Sequence, residues 1–258
     1  MRRAAELGLG AIALTDHDTI AGVAEAQAEG ARLGVRVVSG CEFSTSAPWG
    51  EMHLLGYFLP IDNTALEAFL VRCREDRIRR GRQMVEGLQA WGVDVSFEDL
   101  AEEASNAAIG RPHLARVLVK RGKVASIDDA FHQWLGRGRP AYVEKNLPSL
   151  REVAELVHSV GGIVSAAHLK ERGTRATLTA FITDGLDAVE TRHPSHSGEA
   201  RARITALAAS LGLLRTGGSD WHGEETGVGS HAMLGSQEVP WEWLESIEQV
   251  LRERGRGG

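Results

Sequence analysis

The sequence predicts an α/β protein with a parallel sheet or barrel and a mainly helical insertion. Short apolar runs alternate with stretches of helical periodicity in residues 1–60 and again in residues 147–258, which is typical of parallel α/β folds. Between these two parts only the helical periodicity continues. His, Asp and Glu residues stand at the ends of the apolar runs. Because chemistry in such folds collects at the carboxyl ends of the strands, the sequence also predicts a functional site there.

The first part contains three predicted strands and one helix. The strands are the apolar runs Ala11–Leu14, Val35–Val38 and Met52–Leu59, the last interrupted by Gly56. Apolar residues recur at helical spacing from Ile20 to Leu33, and Gly34 is suited to cap that helix.

Residues 61–146 are predicted to form the helical insertion, a separate lobe. A long helix is expected from Asn63 to about Trp91, and shorter ones at Phe97–Ala104, Arg111–Lys120 and Ile127–Leu135. Alternation then resumes in the last part of the chain. Its predicted helices are Leu150–Ser159, Thr174–Thr183, Glu199–Leu211 and Trp241–Arg252, and its predicted strands lie at 162–166, 187–190 and around Leu213.

Six predicted strands each bring a potential metal ligand to one end. In chain order these residues are Asp16 and His17, Glu42, His53, His168, His193, and Asp220 with His222. His53 enters its strand instead of leaving it, so either that strand is antiparallel to the others or His53 lies outside the site. Asp16 has an alternative role as a cap of the following helix.

Nitrogen and oxygen ligands without Cys suit Mn²⁺, Zn²⁺ or Fe²⁺ better than a structural thiolate site. The group is larger than the three protein ligands of a single catalytic zinc, so two or three ions are expected.

Composition limits the class of protein. The 258 residues carry a net charge of −6 and only two cysteines, Cys41 and Cys73, which fits a reducing cytoplasm better than secretion. No apolar stretch approaches the roughly 20 residues that cross a bilayer, and no signal-peptide core follows Met1. We therefore expect a cytoplasmic protein without a membrane partner, whose anionic substrate is attracted by local positive charge or by metal.

These residues resemble the polymerase-and-histidinol-phosphatase (PHP) family of metal-dependent phosphoesterases. The matching segments occur in family order: Ala13–Thr19, Gly40–Ser44, His53–Tyr57, Ala167-His168 and Gly218–His222. The resemblance implies a distorted seven-stranded β/α barrel and a trinuclear site, often of manganese, with Zn²⁺, Fe²⁺ and Mg²⁺ as alternatives. It implies metal-ligand roles for His17, Glu42, His53, His168, Asp220 and His222.

One segment of the insertion, Gly110-Arg111-Pro112-His113, narrows the resemblance to a subgroup of the family. With this segment the chain is similar to the subgroup that removes the 3′-phosphate from nucleoside 3′,5′-bisphosphates and trims 5′-phosphorylated oligonucleotides from the 5′ end. One departure concerns the family's opening His-x-His strand, because no His precedes His17. We expect either a start site chosen too late, which we favour, or a barrel that lacks its first strand and binds metal incompletely.

The expected reaction is hydrolysis of a phosphomonoester or terminal phosphodiester by a metal-bound hydroxide. Asp220 would bind metal and orient the water, and His193 would contact the scissile phosphate or protonate the leaving group. Four residues of the insertion would hold a second, non-reacting phosphate: Arg77, Arg80, Arg111 and His113. The alternative for the six arginines between Arg72 and Arg82 is a solvated basic helix face.

The expected substrate is a small nucleotide or a short 5′-phosphorylated oligonucleotide. The few aromatic residues of the insertion are scattered, which argues against a long single-strand stacking platform. Two other functions remain open. One is a histidinol-phosphate-type phosphatase, and the other is a metal-poor, inactive barrel that binds nucleotides or a protein.

Overall fold

The computed structural model describes residues 1–105, 109–223 and 233–255. The chain divides into two units, Met1–Leu66 with Leu147–Gly258, and Glu67–Asn146. We call these the α/β unit and the helical unit. No helix in the described ranges combines the length and the apolar character needed to cross a membrane.

The α/β unit contains a mixed sheet of six strands in the order β1-β2-β3-β4-β5-β6. The strands are β1 Ala11–Leu14, β2 Arg36–Ala47, β3 Gly50–Tyr57, β4 Ile163–Ala166, β5 Ala188–Arg192 and β6 Leu214–Gly217. β1 is parallel to β2, and β4, β5 and β6 are parallel to one another. β3 is antiparallel to both of its neighbours, β2 and β4. The predicted α/β class is confirmed.

Helices follow most strands, as the alternation predicts. In the α/β unit they are α1 Arg2–Glu6, α2 Val23–Leu33, α7 Leu150–Ser159, α8 Arg175–Thr183, α9 Gly198–Leu211 and α10 Trp241–Gly255. The other helices are α3 Thr64–Ala90, α4 Phe97–Ala104, α5 Arg111–Lys120 and α6 Ile127–Ala130, which continues as a π-helical turn to Leu135. Their ends carry the expected signals: Ser149 caps α7 in a capping box, and Gly34 ends α2 with φ 72°.

The predicted second strand, Val35–Val38, was too short. β2 runs to Ala47 and pairs with β3 from Gly40↔Tyr57 to Ala47↔Gly50, so the two strands form a hairpin with Pro48 and Trp49 as its turn. The second half of β2 is rich in polar residues, and backbone pairing, above all with β3, keeps it extended. Hydrophobic periodicity therefore could not reveal it.

Each unit has its own hydrophobic core. In the α/β unit a cluster includes Leu55, Ile163, Ala188 and Ile247, which joins the sheet to α10. In the helical unit the cluster includes the fully buried residues Met84, Leu88, Leu100, Leu114 and Leu118. Burial of side chains of this size is the main favourable term in folding.

The carboxylate of Asp187, just before β5, joins three elements at the edge of the sheet where β5 begins. It accepts hydrogen bonds from the backbone N–H of Val164 at 2.8 Å and from Arg254 of α10 at 2.5 Å, and it contacts His158 Nε2 at 2.7 Å. Burial would raise the pKa of Asp187, but the bonds with His158 and Arg254 outweigh it and lower that pKa. Asp187 therefore has a structural role.

Gly30 of α2 offers a test of this packing. A Cβ there would lie 2.5 Å from the carbonyl oxygen of Val35 and 2.6 Å from the Val37 side chain. Although Ala favours helix, we expect Gly30→Ala to lower the free energy of unfolding by about 1–3 kcal/mol, the usual cost of overpacking. Gly198, the first residue of α9, has no atom within 4 Å of such a Cβ. The control Gly198→Ala should keep the stability or raise it by about 0.4–1 kcal/mol. Urea denaturation compares the variants, and a Gly30→Ala protein as stable as wild type contradicts the prediction.

Candidate metal centre

The antiparallel direction of β3 brings His53 to the same edge as the carboxyl ends of the parallel strands. His53 lies in the first half of β3 and pairs with Ser44, two residues after Glu42 on β2. Ala167, which follows β4, donates its backbone N–H to the carbonyl of His53 at 3.1 Å. Of the two alternatives for His53, the structure shows the antiparallel strand.

Three predicted histidine ligands meet at the carboxylate of a fourth predicted ligand, Glu42. Its Oε1 lies 2.7 Å from His53 Nδ1 and 3.4 Å from His168 Nε2, and its Oε2 lies 3.6 Å from His17 Nε2. His53 Nδ1 and His168 Nε2 are themselves 3.1 Å apart. We call His17, Glu42, His53 and His168 the first cluster.

The backbone positions His17 against Glu42. The N–H of Glu42 donates to the carbonyl of Asp16 at 3.1 Å, and the N–H of Asp18 donates to the carbonyl of Glu42 at 3.0 Å. The buried Asp18 carboxylate accepts the N–H of Ser44 at 3.1 Å. The alternative role of Asp16 as a helix cap is wrong, because α2 begins only at Val23 and has no side-chain cap.

The charges of the first cluster stabilise one another. Burial would raise the pKa of Glu42, but hydrogen bonds with His168 and His53 and the charge of His17 outweigh it, so this pKa lies well below its usual range. Burial would lower the pKa of His53, but its bonds with Glu42 and Glu51 raise it to about 9. A negative carboxylate thus lies among nitrogen ligands.

A second cluster consists of His193, Asp220 and His222. His193 Nε2 is 3.6 Å from Asp220 Oδ2, and His222 Nδ1 is 3.6 Å from Asp220 Oδ1. Burial would raise the pKa of Asp220, but the nearby His193 imidazole and the charge of His222 lower it. The rings of His168 and His193 are 5.4 Å apart between centroids, so the two clusters are adjacent.

The donor set of the first cluster fits a divalent cation. One ligand atom each from His17, Glu42 and His53 lie within 4.8 Å of one another. Two imidazole nitrogens face each other at 3.1 Å, a distance that is stable only with a proton or a cation to share. The Glu42 side chain is 9% exposed while those of His17, His53 and His168 are 35%, 23% and 29% exposed, so an ion can enter from solvent. Imidazole and carboxylate ligands together suit several divalent ions.

Glu190 belongs to this region and was not among the predicted site residues. It is 4% exposed on β5, and its Oε2 accepts the backbone N–H of His168 at 2.8 Å. Burial raises the pKa of Glu190 to about 8, with smaller contributions from the carboxylates of Glu42 and Asp220. Glu190 ends the apolar run 187–190, so the strand-end criterion that selected Glu42 could have selected it.

The remaining predicted residues lie on helices of the helical unit. Arg77 and the buried Arg80 are on α3, whereas Arg111 and His113 begin α5. His113 Nδ1 accepts the N–H of Gly110 at 3.1 Å. Burial, and then the charges of Arg116 and Arg77, lower the pKa of His113, which indicates that Arg77 is near it. Arg111 donates to the carbonyl of Leu135 at 3.4 Å.

Comparison with known proteins identifies the family. Residues 1–175 match the model of the PHP domain. A 5′-3′ exoribonuclease of Salmonella typhimurium, Rnm, is 31% identical over 229 residues, which cover 86% of this chain and 78% of that protein. A 3′,5′-nucleoside bisphosphate phosphatase of Chromobacterium violaceum is 32% identical over 264 residues, which cover 97% of this chain and 90% of that protein.

A solved structure from Bifidobacterium adolescentis, described as a metal-dependent phosphoesterase, has the same fold. It has a TM-score of 0.80 and 32% identity, over 95% of this chain and 87% of that one. The mixed six-stranded sheet thus agrees with the predicted distorted barrel, and the predicted phosphoesterase class is confirmed. The chain belongs to the PHP domain family of metal-dependent phosphoesterases.

Proposed function

We propose that this chain hydrolyses phosphate esters of nucleotides with the help of bound divalent ions. The observation that carries the proposal is the convergence of three imidazoles on the buried Glu42 carboxylate. The named activities of two relatives, an exoribonuclease and a nucleoside bisphosphate phosphatase, support nucleotide esters as the substrate class. Within that class we propose nucleoside 3′,5′-bisphosphates and short 5′-phosphorylated oligonucleotides. A cytoplasmic location stays a prediction.

The ions would be held by residues of both clusters. Six residues are proposed as ligands: His17, Glu42, His53, His168, Asp220 and His222. When bound, divalent ions lower the pKa of a bound water and stabilise negative charge on a phosphate. We propose Mn²⁺, with two or three ions in a full site, because imidazole and carboxylate donors suit it. Zn²⁺, Fe²⁺ and Mg²⁺ are the alternatives to compare.

His193 is proposed as the proton donor to the leaving oxygen. Ser195 Oγ lies 2.8 Å from His193 Nδ1 and can accept the Nδ1 proton of the charged ring, so the proton that passes to the leaving oxygen is the one on Nε2. That atom is 3.6 Å from Asp220 Oδ2, and the carboxylate would stabilise the charged ring. Asp220 would also orient the attacking water.

The helical unit is proposed as the substrate-recognition lobe, with Arg77, Arg80, Arg111 and His113 holding the second phosphate. A guanidinium binds phosphate through two parallel N–H groups. Arg111 stands at the N-terminus of α5, where the helix dipole favours anions. The ring of His113, whose pKa is lowered by burial first, would contact phosphate as a neutral donor.

Glu42→Gln tests the centre. Because the amide is neutral and Glu42 is central to the first cluster, we expect Mn²⁺ affinity to fall at least about 100-fold, the upper end of what loss of an outer-shell partner costs. Titration calorimetry measures binding, and phosphate release from adenosine 3′,5′-bisphosphate measures activity. His132→Ala, an exposed histidine of the helical unit, is the control and should change neither. The proposal fails if the wild-type protein, loaded with Mn²⁺, releases neither phosphate from this nucleotide nor mononucleotides from a 5′-phosphorylated oligonucleotide. Release from histidinol phosphate alone would favour the alternative phosphatase.

His193→Gln tests the proton donor. We expect kcat for adenosine 3′,5′-bisphosphate to fall by about 10²–10⁴-fold, the usual worth of general acid catalysis. With p-nitrophenyl phosphate the loss should be much smaller, since that leaving group needs no proton. An equal loss with both substrates would contradict the role of His193 as an acid.

Arg111→Ala tests phosphate recognition. We expect KM for adenosine 3′,5′-bisphosphate to rise about 10- to 100-fold, as for a lost hydrogen bond to a charged group. KM for adenosine 3′-monophosphate, which lacks the second phosphate, should not change. The matched control is Arg137→Ala, because Arg137 lies in the same unit with a side chain 84% exposed. Parallel losses on both nucleotides would contradict the assignment.

A further inference from the structure

Glu190 is a buried carboxylate, and the roles proposed above, as metal ligand, proton donor or phosphate-binding residue, do not include it. It is 4% exposed on β5, and an ionisable group at such depth is costly unless it is hydrogen-bonded. Its Oε2 accepts the backbone N–H of His168 at 2.8 Å. The backbone of His168, a proposed metal ligand, is therefore held by a side chain from the neighbouring strand β5.

The backbone at His168 needs such support. Its φ is +32°, a region that residues with a side chain rarely adopt. Strained residues of this kind persist only where their surroundings hold them in place. Here the strain directs the imidazole so that Nε2 lies 3.1 Å from His53 Nδ1 and 3.4 Å from Glu42 Oε1.

The sheet ladder ends just before this residue. β4 pairs with β5 at Ser165↔Ala188 and Ala166↔Val189. The next N–H, that of Ala167, donates across to the carbonyl of His53 on β3. The N–H of His168 then turns to the Glu190 side chain on β5. The segment that leaves β4 is thus held from both sides, by β3 and by Glu190.

The other oxygen of Glu190 lies beside the segment that carries the second cluster. A Cβ at Gly218 would be 3.8 Å from Glu190 Oε1, and Asp220 follows two residues later. Glu190 therefore accepts a hydrogen bond from the segment that carries His168 and lies close to the one that carries Asp220.

We infer that Glu190 is a positioning residue of the metal centre: its carboxylate holds the backbone of His168 and so places that imidazole in the first cluster. The inference rests on the proposed function, because the placement of His168 matters to the centre only if His168 binds a metal ion. Outer-shell partners of this kind orient the ligands of metal sites.

Two variants and one control test the inference. Glu190→Ala removes the acceptor, and we expect Mn²⁺ affinity to fall by about 10- to 100-fold. In the metal-free protein the amide proton of His168 should exchange faster with solvent, as NMR can measure. Glu190→Gln keeps a carbonyl oxygen at the same position, so it should restore the slow exchange and affinity close to that of wild type.

Asp187→Ala is the matched control, because Asp187 also uses its carboxylate to accept a backbone N–H, that of Val164 at the other end of β4, at 2.8 Å. This variant should unfold at a lower temperature and bind Mn²⁺ like wild type. If Glu190→Ala keeps wild-type affinity and slow His168 exchange, the inference is overturned. Equal losses of affinity in Glu190→Ala and Asp187→Ala would also overturn it, since both would then reflect stability. If wild type binds no Mn²⁺, the proposed function fails, and the exchange of the His168 amide still decides whether Glu190 positions this residue.

Discussion

The candidate centre depends on the buried carboxylate of Glu42. A carboxylate removed from water is stable only when hydrogen bonds and opposite charge compensate it. Three imidazoles supply that compensation, and they come from the segment after β1, from β3 and from the segment after β4. The pairing keeps Glu42 ionised and holds a proton on His53, whose pKa rises to about 9. A cation bound here would replace that proton, so protons and metal would compete for one set of side chains.

The direction of β3 makes this convergence possible. In a sheet of parallel strands only the carboxyl ends face the site, and the first half of a strand would point its residues to the opposite edge. β3 runs against β2 and β4, so His53 reaches the site early in its strand. The hairpin that produces this direction also extends β2 beyond Glu42. Glu42 therefore lies within a strand, between β3 on one side and the segment of His17 on the other, instead of at a strand end.

Three residues in or beside the two clusters have left-handed backbone, namely Asp18 with φ +52°, His168 with φ +32° and Asp220 with φ +50°. Such conformations cost free energy and persist where surrounding contacts impose them. Asp18 is held by Ser44 and Glu42 on β2, and His168 is held by Glu190 on β5. Regular strands thus supply the restraints together with Glu42 and His53, and the strained segments after β4 and β6 supply His168 and Asp220. A rigid sheet whose strands are followed by short bent segments suits a centre in which several ligands must be held in fixed relative positions.

Local sequence determined the α/β class, helices such as Arg111–Lys120 and Leu150–Ser159 with the predicted bounds, and the candidate ligands that follow the strands. Helical periodicity and end signals depend on neighbours in the chain, so the sequence expresses them directly. Only the tertiary structure decided the direction of β3, the length of β2 and the contact between Glu190 and His168. Strand pairing joins residues that are distant in sequence, and its hydrogen bonds use backbone groups common to all residues. For that reason the sequence could name His53 as a candidate, and only the assembled sheet could place it beside Glu42.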